Sequence, residues 1–154
     1  MIAKKIKEFL KEREFVSIAT CSLNNVPFAA PKFILKIDSG YIYLIDYSKG
    51  KSYENLKINP RVSLSFMDTE TITGYRISGS AEVIEGGPEY DRTRHELSQK
   101  KISLSSKRVI EGLYKGRPHS RFEIDIPEQF AIFKVKVAEL VEIGHRGEII
   151  REKL

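Results

Sequence analysis

Residues 42–66 read IYLIDYSKGKSYENLKINPRVSLSF, and the rest of the chain is best understood outward from this stretch. The apolar run over residues 41–45 predicts a strand, and the polar residues 46–50 predict a turn after it. Residues 51–58 then predict a short helix, which ends at Asn59 because proline disfavours helical backbone in the residue before it. The alternation over residues 62–66 predicts a second strand. The stretch is therefore a strand, a turn, a helix and a strand.

The start of the predicted helix carries positive charge, where helices normally carry negative charge. Lys49 and Lys51 flank Gly50, and Ser52 follows. The amides and the dipole already make a helix start electropositive, so lysines there cost stability unless an anion binds. A phosphate group would be held by the amides, the hydroxyl and the ammonium groups. Two interpretations stay open: a phosphate site, and a solvated surface turn that carries lysines.

Length and composition predict one globular domain over residues 1–154. The chain is 41% hydrophobic and 31% charged, so it can bury a core. No apolar run reaches the roughly 20 residues that a membrane-spanning helix needs. The N-terminal residues are too charged for the apolar segment of a signal peptide. We therefore expect a cytoplasmic protein that has no membrane contact.

Charge and metal-ligating residues indicate neither a nucleic-acid partner nor a metal site. The net charge of +5 is modest, and lysines alternate with glutamates at both ends of the chain. Cys21 is the only cysteine, so an internal disulfide is excluded. The three histidines are scattered without the spacing of metal ligands. We expect no metal ion and no bound nucleic acid.

The remaining segments are mostly strands joined at hairpin spacing. Pro27 and Pro31 remove backbone donors, so they place the first half of their strand at an edge or a bulge. Pro88 opens a helix, and Ser105-Ser106 offers the cap of a separate one. The other predicted elements are a helix over residues 2–10 and strands over residues 15–20, 26–37, 72–84 and 130–143. Hairpin-linked strands predict a mainly β fold, an antiparallel sheet of six to seven strands closed into a small barrel with flanking helices.

Four segments, in this order, resemble the pyridoxamine 5′-phosphate oxidase-like family of FMN-binding split-barrel proteins. The segments are residues 15–27, Pro31–Lys36, Lys51–Val62 and residues 77–89. The spacing from Lys51 to Asn55 is more similar to small FMN-binding proteins and flavin reductases than to the true oxidase. The resemblance implies a split β-barrel of Greek-key type, which forms a homodimer with flavin mononucleotide (FMN) at each end of the interface.

The resemblance also implies where the phosphate of FMN would be held. Lys51 and Ser52 match the phosphate-binding start of the helix in the family. Tyr47 and Ser48 match the loop beside it.

The flavin ring would contact two further segments by the same resemblance. Lys32 and Phe33 would lie along the ring edge. Gly74 and Tyr75 would approach the ring from the partner subunit, which would explain glycine inside a predicted strand.

A substrate site is implied by one short motif. Arg117-Pro118-His119-Ser120-Arg121 is similar to the Arg-x-His-x-Arg segment with which the oxidase binds its substrate. In this chain the motif precedes the last long strand, whereas in the oxidase it follows that strand. Arg117, His119 and Arg121 are therefore substrate-binding candidates, and the alternative is a basic surface loop.

The function that the resemblance implies is that of an FMN-dependent oxidoreductase acting on a small molecule, with a nicotinamide as a candidate electron donor. The sequence identifies no catalytic side chain, because the flavin itself carries the electrons. Three alternatives stay open. They are a non-enzymatic FMN protein that carries electrons or stores flavin, a barrel that binds a deazaflavin or haem, and a basic nucleic-acid-binding barrel.

Overall fold

The structure is a computed structural model that describes residues 4–116 and 128–154. In chain order its elements are α1 (Lys4–Lys11), β1 (Phe15–Cys21), β2 (Pro27–Asp38), β3 (Tyr41–Asp46), α2 (Lys51–Ile58), β4 (Arg61–Asp68), β5 (Thr73–Ile84), α3 (Pro88–Tyr114), β6 (Ala131–Ile143) and β7 (Ile149–Lys153). The chain divides into two compact units, residues 1–85 with 130–154, and residues 86–129. The prediction of a single domain stays a prediction.

The first unit is a closed antiparallel sheet. Its strand order is β3-β2-β1-β4-β5-β6-β7, and β3 also pairs with β6, so that six strands close into a barrel and β7 extends it beside β6. The connection from β3 to β4, which contains α2, passes over two strands and gives the Greek-key order. The predicted mainly β class and antiparallel barrel are confirmed.

The core of the first unit is the inside of the barrel. Each strand contributes alternate residues to it, because successive side chains of a strand point to opposite faces. The central residues are almost completely buried aliphatic side chains: Ile18, Ile34, Leu44, Leu64, Ile77 and Val135. Each fully buried side chain of this size contributes about 1.5–3 kcal/mol to folding.

Helix α1 packs on this core as its amphipathic pattern predicts. Leu10 is buried, and the ring of Phe9 stacks on that of Phe66 with centroids 5.5 Å apart. Phe66 in turn stacks on Tyr75 at 5.1 Å. The predicted helix over residues 2–10 is therefore confirmed over the residues that the structure describes. Among those residues, no helix has the length and apolar character that crossing a membrane requires.

The prolines of β2 lie where the sequence places them, at an edge. Pro27 and Pro31 pair with β1 on one side, whereas pairing with β3 begins only at Phe33. The missing backbone donors therefore interrupt no ladder on the second side. The irregularity of β2 lies further on, between Ile34 and Lys36.

One local prediction is wrong, and one strand was not predicted. The two helices expected after Gly87 form one continuous helix, α3, and the Ser106 hydroxyl donates to the carbonyl of Ile102 at 2.9 Å instead of capping a new helix. Such back-bonding lets a serine remain inside a helix. The C-terminal tail contains a strand, β7, which pairs with β6 from Ile143 to Glu139.

Candidate functional site

The start of α2 is a helix end whose amides have no side-chain cap. Gly50 occupies the cap position and makes no side-chain hydrogen bond there. The first amides of a helix have no partner within the helix, so this end offers donors to an anion. Lys51, the first residue of α2, has a half-exposed side chain, and its ammonium group lies 3.1 Å from the Glu54 carboxylate. An exposed pair of this kind contributes little to stability, so it competes weakly with a bound anion.

Two buried hydroxyl groups lie in or just before this helix start. Ser52 is only 1% exposed, and its Oγ has no hydrogen-bond partner among the described residues. The Tyr47 hydroxyl is also buried without a partner in that part of the chain, and burial raises its pKa. Leaving a buried polar group unpaired costs about 1–3 kcal/mol. Two such groups within six residues are therefore well suited to contact a ligand.

Lys32 and Ser48 meet at a carboxylate that the sequence analysis did not single out. The Lys32 ammonium group lies 2.7 Å from Oδ1 of Asp46, and the Ser48 hydroxyl donates to the same oxygen at 3.1 Å. Asp46 is completely buried, and its Oδ2 has no partner in the described residues. The alternation of β3 contains the signal, since Asp46 continues the inward positions of Ile42 and Leu44.

Phe33, in the middle of β2, and Tyr47, directly after β3, are neighbours of Lys32 and Asp46 in the chain. Phe33 is buried and pairs with Ile45 of β3. Its ring centroid lies 6.5 Å from that of Tyr47 and 5.9 Å from that of Phe15, which is exposed. The structure therefore brings Lys32, Phe33, Tyr47 and Ser48 together where β3 ends beside the middle of β2.

Gly74 and Tyr75 lie at the opposite end of β5 from α2. They stand at the beginning of that strand, whereas the residue after its end, Glu85, contacts α2. A strand rises about 3.3 Å per residue, so roughly 35 Å separates the two ends. Within one chain, Gly74 and Tyr75 therefore lie far from the end of β5 that contacts α2. The Tyr75 ring is also buried against Phe66 within its own barrel.

The two glycines of β5 differ in what surrounds them. A Cβ at Gly79 would overlap the carbonyl group of Lys136, at the irregular step in the pairing of β5 with β6. The chain itself therefore requires glycine there. A Cβ at Gly74 would meet nothing closer than 3.8 Å, so the described residues leave room for a side chain.

Arg117, His119 and Arg121 lie outside the described residues. Within residues 4–116 and 128–154, histidine, cysteine, aspartate and glutamate side chains form no group of three or more that is suited to a metal ion. The absence of a metal stays a prediction.

The closed six-stranded antiparallel barrel with flanking helices is the fold of the split-barrel proteins. Within that class the chain belongs to the pyridoxamine 5′-phosphate oxidase family, whose sequence model matches residues 2–141. The predicted family is therefore confirmed. No curated protein sequence matches the chain.

Solved structures of low sequence identity share the fold. One is a protein from Clostridium acetobutylicum that is related to general stress protein 26 of the pyridoxinephosphate oxidase family. It matches with a TM-score of 0.64 at 18% identity, and the match covers 97% of this chain and 92% of that protein's chain. A pyridoxamine 5′-phosphate oxidase-related, FMN-binding protein from Nostoc punctiforme has a TM-score of 0.56 at 14% identity, covering 96% and 91%. A heme-binding protein from Mycobacterium smegmatis has a TM-score of 0.64 at 18% identity, covering 98% of this chain and 57% of its own. At these identities the likeness concerns the fold.

Proposed function

We propose that this protein binds FMN and acts as an FMN-dependent oxidoreductase on a small molecule. One observation carries the proposal. The buried, unpartnered hydroxyl of Ser52 lies in the first turn of an uncapped helix, directly after the half-exposed Lys51. A phosphate monoester presents strong acceptor oxygens and negative charge, and these complement such a helix end.

The residues present fit the phosphate of FMN. Lys51, the Ser52 hydroxyl and the free amides of the first turn of α2 would hold it. Lys32 would contribute little charge, because its ammonium group is already neutralised by the buried Asp46 carboxylate. When bound, the flavin supplies the electron transfer, and the protein positions it and controls access to it.

The flavin ring would lie near Phe33, Tyr47 and Ser48, where β3 ends beside the middle of β2. The Phe33 ring is buried beneath the half-buried Tyr47 ring, and the exposed Ser48 donates its hydroxyl hydrogen to Asp46. An aromatic and apolar surface beside a few polar groups is the usual lining of a cofactor site. Tyr47 and Ser48 lie just before the start of α2 in the chain, so the proposed ring site adjoins the proposed phosphate site.

A homodimer is the second part of the proposal. Met67, Gly74, Ile143 and Ile149 stand opposite one another across β4, β5, β6 and β7, and we call them the apolar row. The side chains of Met67, Ile143 and Ile149 are 49%, 42% and 56% exposed. Contiguous exposed apolar surface marks an interaction site in many proteins. A second copy covering the apolar row would bring the Gly74 end of β5 to the other subunit's site.

Further parts of the proposal concern substrate, donor and location. Arg117, His119 and Arg121 are the proposed substrate-binding residues, a nicotinamide is the proposed electron donor, and the cytoplasm is the proposed location. The family supplies the reason for the first two. Turnover of a nicotinamide donor by the FMN-loaded protein distinguishes an oxidoreductase from a flavin carrier.

Haem is the second candidate ligand, because a split-barrel neighbour of similar TM-score is a heme-binding protein. The absorbance spectrum of the purified protein separates the two cofactors. Flavin absorbance bands in the purified protein, together with release of FMN on denaturation, would support the proposal. A Soret band without flavin, together with no FMN binding in titration, would overturn it.

A further inference from the structure

A single carboxylate at the end of β5 receives hydrogen bonds from three side chains of the α2 segment. Tyr53 Oη donates to Oε1 of Glu85 at 2.6 Å, and Lys49 Nζ donates to the same oxygen at 3.2 Å. Lys57 Nζ donates to Oε2 at 2.6 Å. Tyr53 and Lys57 are four residues apart in α2, the spacing that places side chains on one side of a helix, and Lys49 lies in the turn before the cap residue Gly50. The three donors therefore converge on one anion.

The two ammonium groups of this cluster also contact the ring of Tyr53. The ammonium groups of Lys49 and Lys57 lie 5.8 and 5.4 Å from the centroid of the Tyr53 ring. Contacts of this kind contribute roughly 0.5–1 kcal/mol each at exposed sites. Lys49 also has a φ of +46°, a left-handed conformation that side-chain-bearing residues rarely adopt. Strained backbone of this kind clusters at ligand sites.

The charges of this group are not balanced by Glu85. Two ammonium groups face one carboxylate, which leaves a surplus of one positive charge within the group. A phosphate monoester carries nearly two negative charges at neutral pH and three strong acceptor oxygens. It would therefore match both the two cations and the three donors better than the carboxylate does.

Glu85 is attached to the chain in a way that allows it to leave. It follows the last residue of β5 and precedes Gly86 and Gly87, and Gly87 has a φ of +87°. Glycine tolerates many backbone conformations, so the backbone beside Glu85 can change, and the bonds of the three donors to the carboxylate are then exchanged for bonds to the incoming anion. Hydrogen bonds from the three donors also lower the pKa of Glu85 to about 2, because they favour the charged carboxylate.

We propose that Lys49, Tyr53 and Lys57 form a second oxyanion site, which takes the phosphate of a phosphate monoester when the Glu85 carboxylate moves away. This site is distinct from the start of α2, where Lys51 and Ser52 would hold the phosphate of FMN. It therefore does not depend on FMN binding, and it would give the protein a place for a phosphorylated substrate or effector.

Orthophosphate is the probe, titrated calorimetrically into the protein with and without saturating FMN. Removing the competing carboxylate by Glu85→Ala should tighten orthophosphate binding by about tenfold or more, since a charge-assisted hydrogen bond is worth that factor. Adding Lys57→Ala to that variant should reverse the gain. Lys51→Ala should leave the gain intact, because Lys51 belongs to the other site.

Glu82→Ala is the matched control, since it removes the same charge from an exposed position in β5, three residues before Glu85. It should change orthophosphate affinity by less than about twofold, the effect of a screened surface charge. Glu85→Gln, checked by thermal melting, replaces Glu85→Ala if the latter folds poorly, and its gain should be smaller.

Two results would contradict the proposal of a second oxyanion site. One is unchanged orthophosphate affinity in folded Glu85 variants. The other is a gain that saturating FMN or Lys51→Ala abolishes, which would mean that orthophosphate binds only at the start of α2. The flavin titration tests FMN binding separately. If FMN does not bind, the orthophosphate titration of the FMN-free protein still tests the second oxyanion site.

Discussion

The ammonium group of Lys32 lies 2.7 Å from Oδ1 of Asp46, inside the end of the barrel, and the carboxylate is completely buried. The two charges cancel, so Lys32 is not a free cation that attracts phosphate. A buried pair is not by itself strongly stabilising, because removing both charges from water is costly. Breaking such a pair leaves one charge buried without compensation, and this has a measurable consequence.

Lys32→Met should therefore lower the free energy of unfolding by roughly 3–5 kcal/mol, because it leaves Asp46 uncompensated. The double variant Lys32→Met/Asp46→Asn removes the buried charge and should recover part of this loss. Urea denaturation of the three proteins measures the effect. Lys4→Met, which removes a lysine from an exposed pair, should cost less than about 1 kcal/mol. Equal losses in the single and double variants would contradict the pairing.

Lys51→Ala should weaken FMN binding about ten- to a hundredfold, the value of a charge-assisted bond of roughly 1.5–3 kcal/mol. Ser52→Ala should weaken it less, by about fivefold, as a neutral hydrogen bond does. Riboflavin, which lacks the phosphate, should be bound far more weakly than FMN by the unaltered protein and be little affected by either change. Fluorescence titration measures all of these affinities.

Lys4→Ala is the control for the FMN experiment, because Lys4 is also the first residue of an eight-residue helix and pairs with a glutamate of that helix. It should leave FMN affinity unchanged. Without FMN, Lys51→Ala should change stability by less than about 0.5 kcal/mol, since the exposed pair with Glu54 is weak. If Lys4→Ala and Lys51→Ala weaken FMN equally, the phosphate is not at the start of α2.

Gly79→Ala should destabilise the protein by at least about 1–3 kcal/mol, because the added Cβ overlaps the carbonyl of Lys136 and the strands must shift. Gly74→Ala meets no close neighbour in its own chain and should change stability by less than about 1 kcal/mol. Urea denaturation compares the two. If Gly74→Ala strongly lowers stability at protein concentrations where the chain is monomeric, contacts within the chain itself require glycine at this position.

We expect the unaltered protein to sediment as a homodimer at micromolar concentration. Ile143→Lys places a charge in the middle of the apolar row and should produce monomers. Ile102→Lys, which changes a more exposed isoleucine in α3 and outside the apolar row, is the control and should leave the dimer intact. A monomeric protein that still binds FMN would overturn the shared site.

The stability of the protein should fall between pH 4.5 and pH 2 partly because of Glu85. Its folded-state pKa is about 2, below the ordinary value of 4.5, because Lys57, Tyr53 and Lys49 donate hydrogen bonds to the carboxylate. A depressed pKa contributes stability that is present above the ordinary value and is lost as the pH falls toward the folded-state value. Glu85→Gln should therefore flatten the dependence of the urea midpoint on pH in this window. An unchanged slope would contradict the assignment.

Most of the elements could be predicted from the sequence, because their signals are local. The helix over residues 51–58 coincides with α2, since its start after Gly50 and its end before Pro60 are determined by neighbouring residues. The turn at Asn25, which has a φ of +59°, is likewise a property of a few residues. The continuity of α3 could not be predicted, because a serine inside a helix and a serine at its cap look the same in sequence.

The sequence by itself determined the family, the order of strands and turns, and the residue types of a phosphate cradle at the start of α2. Only the tertiary structure decided which charges of that region are already paired. Lys57, at the far end of the helix, looks uninvolved in the sequence, yet it shares the Glu85 carboxylate with Lys49 across 28 and 36 residues of chain respectively. Asp46 neutralises Lys32 in the same way. Such partners depend on strand register and barrel closure, which sum many weak contacts along the whole chain, whereas turns and helix ends depend on a few adjacent residues.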